Sequence, residues 1–407
     1  MRLNPGYGPT DQVFEPPTNE SPLEFDLPDE LKMLRDMVRR FVDDELIPLE
    51  GKSLDGQRFK PEIEARLTTR CKELGLWQID VPQELGGQGL GALGRAIVWS
   101  ELGRTVALPT RTVRILGPDI RAPLYALEGE MRERYLMPTV RGERESCFAQ
   151  TEPDAGSDPG AMRTTATRDG DYYVINGTKR FITGADQADF VLLMAATDRA
   201  KGSHGGISCF VLDMDTPGVK LTNCYHTLTG ETPWEIVFDN VRVHKNHLIG
   251  KEGGGFGLGQ KWLGAGRIKQ GARALGATRR CLELASTYAK QRNTFGQPLA
   301  SRQSIQWRLV DTYVALEAAT LLVHRAAARH DRGEDDRNEA YLVKLYCTEM
   351  AWEAADMCLQ VHGGIGLTTD LPVERLWRDQ RSHMITEGTP EIMRMALSRH
   401  VLNTFGK

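Results

Sequence analysis

Glu387 stands where a sharp turn leads into a helix, a position from which its carboxylate could move a proton. It is followed by Gly388-Thr389-Pro390, in which Thr389 can cap a helix that has Pro390 at its first position. A carboxylate held at the lip of a helix and facing a cleft can act as a general base. The same pattern suits a solvated glutamate at the start of a helix, and these residues alone favour that interpretation.

Three separated segments hold most of the other residues suited to chemistry. The first is C-F-A-Q-T-E-P-D-A-G-S-D at 147–158, with K-R-F-I-T-G following at 179–184. The second is R-N-T-F-G-Q-P at 292–298, and the third is Q-V-H-G-G-I-G at 360–366. The lone His362 in the third segment is flanked by glycine, and we interpret it as structural rather than catalytic.

The common nucleotide-binding and metal-binding motifs are missing from the sequence. No G-x-G-x-x-G follows a predicted strand, no G-x-x-x-x-G-K-[ST] occurs, and no His/Cys grouping indicates a metal site. The glycine run at 253–257 either frees the backbone for a bend into the next helix, which we favour, or contacts a ligand directly. We therefore predict neither a Rossmann site, nor a P-loop, nor a metal.

The first third of the chain has the periodicity of helices. Leu31, Leu34, Val38 and Phe41 recur at three- and four-residue spacing. Further helical stretches are predicted at 61–74, 93–102 and 128–140. We predict a helical domain over 26–144, preceded by a flexible arm over 1–25 that is rich in proline, glycine and acidic residues.

The middle of the chain, 145–245, has the alternation and the β-branched content of short strands. Strands are predicted at 172–175, 190–193 and 236–238. Asn176-Gly177 predicts a hairpin turn between 173–175 and 180–182, since both positions of a type I′ turn need positive φ. This segment is predicted to be a small β-barrel or β-sandwich domain.

The helical period returns over 246–407. One long helix passes through Val310, Val314 and Leu321, and another runs from Val343 to Val361. Both carry apolar residues on more than one face, so we expect them to be buried between other helices or subunits. The predicted fold class is multi-domain α+β, with a C-terminal domain like a four-helix bundle.

Composition excludes several classes of protein. The 407 residues carry a formal net charge of −4, which argues against nucleic acid as a partner. No apolar run approaches the roughly 18 residues of a membrane span. The seven cysteines are spread singly, and the N-terminal stretch fits neither a signal nor a transit peptide, so we predict reduced thiols and a cytoplasmic location.

In combination, the motifs resemble those of the acyl-CoA dehydrogenase family. T-E-P-x-A-G-S-D, F-I-T, R-x-T-F-G, Q-x-x-G-G and E-G-T occur in the family's order, within its helical, β, helical layout. The resemblance covers the chain from about residue 28 to residue 402. It also includes R-Y-L-x-P at 134–138 followed by G-E at 142–143.

The resemblance implies a flavin adenine dinucleotide (FAD) enzyme that converts an acyl-CoA to a trans-2-enoyl-CoA. Glu387 matches the glutamate that removes the α-proton while a hydride leaves the β-carbon for flavin N5. Its backbone N–H, with a flavin ribityl hydroxyl, would bind the thioester oxygen. The stretch L-G-A-G-R at 263–267, where some relatives carry the base, has no carboxylate. Substrate contacts are expected from Ser157, Gly264, Arg267 and Gly388, although Gly264 replaces an Asp found in several members.

The resemblance also assigns residues to the cofactor. Arg292 would clamp the pyrophosphate, because a guanidinium suits bidentate phosphate binding. Gln303, Gln360, Gly363 and Gly364 would meet the adenosine from a neighbouring subunit. The remaining expected FAD contacts are Phe148, Gln150, Thr151, Gly156, Ser157, Phe181, Ile182, Thr183, Thr294, Phe295, Thr389 and Glu391.

The family likeness implies a homo-oligomer, a tetramer or a dimer, and an electron-transfer flavoprotein as electron acceptor. Two alternatives stay open: a flavin oxidase or monooxygenase of the same fold, and a flavin-free scaffold that kept the fold. The small residues Gly264-Ala265-Gly266 suggest extra room beside the substrate. That room favours a branched, cyclic or hydroxylated acyl chain.

Overall fold

The computed structural model describes residues 27–406, and the predicted N-terminal arm lies outside them. The chain forms a helical domain, a central sheet and a second helical domain, which confirms the predicted fold class. None of the helices in 27–406 combines the length and apolar character needed to cross a membrane.

The N-terminal domain consists of short helices packed on the C-terminal helices. Its first helix has acidic residues at its start, Asp29 and Glu30, and Arg39 and Arg40 at its end, which complement the helix dipole. Its buried face, with Val38 and Phe41, joins a core shared with the C-terminal domain. The elements are α1 Asp29–Phe41, β1 Leu54–Asp55, β2 Arg58–Phe59, α2 Pro61–Glu73, α3 Ala92–Leu102, α4 Gly129–Met131 and α5 Met137–Val140.

The central domain is one eight-stranded sheet. Its strands are β3 Ser146–Ala149, β4 Thr165–Asp169, β5 Tyr172–Ile182, β6 Phe190–Ala196, β7 Ile207–Asp213, β8 Val219–Cys224, β9 Trp234–His244 and β10 Leu248–Ile249. They pair in the order β10-β7-β6-β4-β5-β9-β8, and β3 lies beside β6. Strand β6 is buried on both faces: Leu192 packs with Tyr135 of the N-terminal domain, whereas Leu193 packs with Tyr173 inside the sheet domain.

The hairpin predicted at Asn176-Gly177 is wrong. Both residues lie inside β5, where the pairing with β9 shifts register between Ile175 and Gly177. The turn falls instead at Gly170-Asp171, since Asp169 pairs with Tyr172. A side chain at Gly177 would collide with Thr164. Glycine at this position therefore allows two backbone segments to pass close to each other at a β-bulge.

The C-terminal domain is built on the long helix α6. Its elements are α6 Gly255–Gln291, β11 Asn293–Thr294, β12 Gln297–Pro298, α7 Gln303–Asp331, α8 Arg337–His362, α9 Val373–Ile385 and α10 Pro390–Phe405. Helices α6 and α8 run parallel, because Gly271 lies against Cys347 and Tyr288 against His362. At the start of α6, a side chain at Gly255 would collide with the backbone of β7, so the glycine run packs the helix onto the sheet.

Candidate active site

Glu387 lies in a tight connection between α9 and α10. Its φ is +59°, a conformation uncommon for a residue with a side chain, and Gly388 follows with φ +106°. The Thr389 hydroxyl then accepts a hydrogen bond from the Ile392 N–H at 3.4 Å and caps α10, as the sequence predicts. The carboxylate is therefore placed by a strained turn fixed on both sides by helices.

The Glu387 carboxylate lies against α6 at Gly266. A Cβ placed on Gly266 would be 2.8 Å from Glu387 Oε2, so glycine leaves the space that the carboxylate fills. Oε2 is buried and accepts no hydrogen bond from the described residues. A buried acceptor without a donor is uncommon and costs free energy, which is typical of a group that acts on a ligand.

Arg267, the next residue of α6, is brought to the same place. Its side chain is 6% exposed, and its Nε donates to the Glu387 carbonyl at 3.3 Å. The guanidinium lies over the ring of Tyr341, 5.0 Å from its centre. Burial lowers the pKa of Arg267, but a guanidinium still keeps its charge near neutral pH. Gly388 adjoins this guanidinium, so Glu387, Gly388 and Arg267 form one cluster.

Two further cations, which the sequence analysis missed, hold the end of α9. Lys344 of α8 is fully buried and donates to the His383 carbonyl at 2.6 Å, and burial lowers its pKa to about 8. Arg111 donates to the hydroxyls of Thr386 and Ser382, each at 2.8 Å. Cations at a helix C-terminus bind its free carbonyls and hydroxyls and oppose the dipole. The only sequence signal that could have identified Lys344 is that it is a charged residue within an apolar stretch of α8.

Part of the expected flavin set gathers between the sheet and the start of α6. Phe148 and Gln150 both lie next to Gly259 of α6. The Thr151 carbonyl accepts the Arg180 N–H at 2.8 Å, which sets the turn after β3 beside Phe181. Phe181 has φ +60°, is about half exposed and packs edge-on against Tyr225, whereas Ile182 points into the sheet core.

A buried ion pair fixes this turn to β5. Lys179 Nζ lies 2.7 Å from Glu152 Oε1, and both side chains are almost fully buried. Lys179 also donates to the Gln150 carbonyl at 3.0 Å, and Glu152 accepts the Thr164 N–H at 3.0 Å. Burial lowers the pKa of Lys179 to about 8. The pair positions backbone that the sequence analysis assigned to the flavin, although neither residue was itself assigned a role.

Other predicted residues lie around these clusters; Gly156, Ser157 and Glu391 are exposed, whereas Thr183 and Gly264 are half-buried. Gly156 and Ser157 lie on the turn between β3 and β4, and Thr183 follows the end of β5. Glu391 is in the first turn of α10, where the Thr389 hydroxyl lowers its pKa. Gly264 has open space where a side chain would be.

The remaining predicted cofactor residues lie at the far end of α6. Arg292 is exposed and forms no ion pair with any residue of 27–406, and the nearby Phe295 is 98% exposed. Gln303 begins α7, and the Thr294 carbonyl accepts from Arg302 at 2.7 Å. An unpaired guanidinium on an exposed loop is suited to a phosphate.

Gln360, Gly363 and Gly364 are exposed at the end of α8, near this loop. Neither glycine has an atom within 4 Å of the place where a side chain would be, so a phosphate or a second chain can approach the backbone. His362 between them is buried, stacks on Tyr288 at 4.5 Å and is hydrogen-bonded through Nδ1 to the Cys358 carbonyl. These contacts support a structural role for His362.

The two groups of cofactor residues are far apart within one chain. Gly266 of α6 lies beside Glu387, and Arg292 directly follows the last residue of the same helix. The two are 26 positions apart, which corresponds to roughly 39 Å at 1.5 Å per residue. Within one chain, the residues beside Glu387 and those around Arg292 therefore form two separate clusters.

Comparison with known proteins places the chain among flavoenzymes. Its residues 28–143, 147–241 and 253–402 match the N-terminal, middle and C-terminal domains of acyl-CoA dehydrogenase. It is 35% identical to the mouse mitochondrial short-chain specific acyl-CoA dehydrogenase over 387 residues, which is 93% of this chain and 92% of that protein.

Two other proteins show the same likeness. The (R)-benzylsuccinyl-CoA dehydrogenase of Thauera aromatica is 35% identical, covering 93% of this chain and 97% of that one. The solved structure of butyryl-CoA dehydrogenase from Megasphaera elsdenii superimposes with a TM-score of 0.80 at 30% identity, covering 93% of this chain and 99% of that one. The chain belongs to the acyl-CoA dehydrogenase family and is an FAD-dependent oxidoreductase.

Proposed function

We propose that this protein oxidises an acyl-CoA thioester to the trans-2-enoyl-CoA, with Glu387 as the base that removes the α-proton. The observation that carries the proposal is Glu387 Oε2, which is buried and accepts no hydrogen bond from the described residues, on a residue with positive φ. An α-proton held near Oε2 would transfer to that oxygen.

The thioester oxygen is the second group that the site has to bind. Within the described chain, no backbone carbonyl accepts the Glu387 N–H, so this donor is free for the thioester oxygen. A donor aimed at that oxygen stabilises the negative charge that develops as the α-proton leaves. Arg267 donates a hydrogen bond to the Glu387 carbonyl, which fixes the orientation of the Glu387 backbone N–H relative to its carboxylate. When FAD is bound, its flavin accepts the hydride from the β-carbon.

We assign the FAD contacts to the two groups of residues described above. Phe148, Gln150, Thr151, Phe181 and Thr183 would hold the flavin end, together with Ser157 and Thr389. Arg292 would bind the pyrophosphate from the partner subunit, with Gln303, Gln360, Gly363 and Gly364 towards the adenosine. Support comes from the separation along α6 and from the exposed Arg292, which forms no ion pair within residues 27–406.

A homo-oligomer follows from this assignment. In addition, α7 exposes a row of large apolar side chains on the isolated chain, a typical feature of a subunit interface. The row consists of Trp307, Val310, Tyr313, Val314 and Leu321. We favour a tetramer, with a dimer as the smaller assembly that would complete the site.

The remaining proposals concern the electron acceptor and the cellular location. A solved chain from work on the electron transferring flavoprotein of Acidaminococcus fermentans superimposes with a TM-score of 0.81 at 32% identity. We propose an electron-transfer flavoprotein as acceptor. All seven cysteines are free thiols, most of them buried, which supports a reducing compartment such as the cytoplasm.

The test is anaerobic addition of a panel of acyl-CoA thioesters to the purified FAD-loaded protein, followed by its visible spectrum. We expect bleaching of the oxidised flavin band and formation of an enoyl-CoA product. Reoxidation of the bleached protein by an electron-transfer flavoprotein, but only slowly by oxygen, would support that acceptor. Rapid peroxide formation in air would indicate an oxidase instead, and no bleaching by any thioester would contradict the proposed reaction.

A further inference from the structure

Gln270 is a buried side chain with no partner in the described chain. It lies on α6, one turn beyond Gly266, and is 6% exposed. Its amide makes no hydrogen bond within residues 27–406, and its Oε1 is shut off from solvent. Oε1 is an acceptor, and leaving it without a donor in the interior costs free energy. This oxygen is therefore suited to a ligand that brings its own hydrogen-bond donor.

The position of Gln270 places this ligand group next to the base. Residues four apart share one face of a helix, and helical side chains lean towards the N-terminus. Gln270 therefore leans over Gly266, where the Glu387 carboxylate lies. Four residues rise about 6 Å along the axis. A substrate whose α-carbon meets Glu387 would bring its γ or δ carbon near the amide.

Lys269, the residue before Gln270 on α6, borders a small polar cleft. Lys269 lies over the Trp99 ring at 4.0 Å, and the buried indole N–H of Trp99 has no acceptor in the described residues. Trp99, Arg111, Thr112 and Lys269 contribute to a cleft of about 30 Å³. At roughly 10–15 Å³ per water molecule, that volume holds two or three waters or one small polar group. Arg111 connects the cleft to the site, since it also holds Thr386 beside Glu387.

We propose that Gln270 selects acyl groups that carry a hydroxyl group at the γ or δ carbon. The inference rests on the proposed dehydrogenation and names its substrate class. A hydroxyl can donate to the amide oxygen Oε1, whereas a plain alkyl chain leaves this oxygen without a donor after water has been expelled. Sites that hold a buried polar group discriminate strongly against a ligand that lacks its partner.

The experiment compares 4-hydroxybutanoyl-CoA, succinyl-CoA and butanoyl-CoA in anaerobic rapid mixing with the FAD-loaded enzyme. Wild type, Gln270→Met and the control Gln88→Met are used, since Gln88 is an exposed glutamine outside the site. The wild type should bleach faster with 4-hydroxybutanoyl-CoA than with either butanoyl-CoA or succinyl-CoA at limiting concentration, since only the hydroxyl can donate to Oε1. In Gln270→Met, the ratio of the bleaching rate with 4-hydroxybutanoyl-CoA to that with butanoyl-CoA should fall by roughly 10- to 100-fold. Gln88→Met should keep the wild-type ratio.

A second readout separates recognition from a structural role. Gln270→Met removes an unpaired buried amide, so the substrate-free enzyme should melt at a higher temperature than the wild type. A lower melting temperature, with equal losses for all three thioesters, would show a structural glutamine and overturn the proposal. Wild-type preference for butanoyl-CoA would also overturn it. If no thioester of the wider panel bleaches the wild type, the proposed function itself fails, and this inference fails with it.

Discussion

At the scale of single residues, Gly266 is the position on which the geometry of the base depends most directly. A methyl group there would lie 2.8 Å from Glu387 Oε2, which is closer than atoms can approach without moving. In Gly266→Ala the carboxylate therefore has to shift. A misplacement of about 1 Å can cost roughly 100-fold in rate, and we expect a loss of that order in the bleaching rate with FAD still bound. Anaerobic rapid mixing measures it.

The matched control is Gly257→Ala, in the first turn of the same helix. Gly257 is exposed, and no atom lies within 4 Å of the place its side chain would occupy. Both variants gain helix propensity of up to about 1 kcal/mol, so stability alone would not separate them. If Gly266→Ala bleached as fast as Gly257→Ala, the Glu387 carboxylate would not lie where the structure places it.

At the scale of secondary-structure elements, the buried pair Glu152–Lys179 joins the turn after β3 to strand β5. Lys179→Met leaves the Glu152 carboxylate buried without its cation, which typically costs about 3–5 kcal/mol. The double variant Glu152→Gln/Lys179→Met removes that charge and keeps one oxygen, which can accept from either the Arg163 or the Thr164 N–H group but not from both. We expect urea unfolding of the FAD-loaded protein to show that the double variant recovers part of the loss.

An exposed pair provides the comparison for this prediction. Lys201 lies 3.0 Å from Asp198 with both side chains largely in solvent, so Lys201→Met should change the free energy of unfolding by less than about 1 kcal/mol. A double variant at 152 and 179 that is less stable than Lys179→Met alone would contradict a pair held by mutual charge compensation.

The elements also show what the sequence could and could not predict. Helices and strands with one-sided or two-sided burial, such as α1 and β6, were predicted from their periodicity alone. The turn at Asn176-Gly177 was predicted wrongly because a bulge depends on a neighbouring strand, here through Thr164. The positions of Arg111 and Gln270 could not be predicted, because their surroundings come from residues distant in sequence; Arg111 and Thr386 are 275 positions apart.

At the scale of the whole molecule, the proposed FAD contacts are separated along α6, and the proposal therefore includes a second chain. Val314 is 60% exposed at the middle of the apolar row on α7, so Val314→Asp should break the assembly and with it FAD retention. Light scattering and the flavin content after gel filtration measure both effects. Met33→Asp, which changes an exposed apolar residue on α1, should alter neither. A monomeric wild type that retains FAD would contradict cross-subunit binding.

The central claim is that Glu387 removes the α-proton, and the most direct measurement compares the wild type with Glu387→Gln in anaerobic rapid mixing with a reactive acyl-CoA. Glutamine keeps the size of the side chain but is no base, so FAD and thioester should still bind while the flavin band persists. The control Glu62→Gln, on the exposed face of α2, should bleach like the wild type. Bleaching of Glu387→Gln at the wild-type rate would contradict the account.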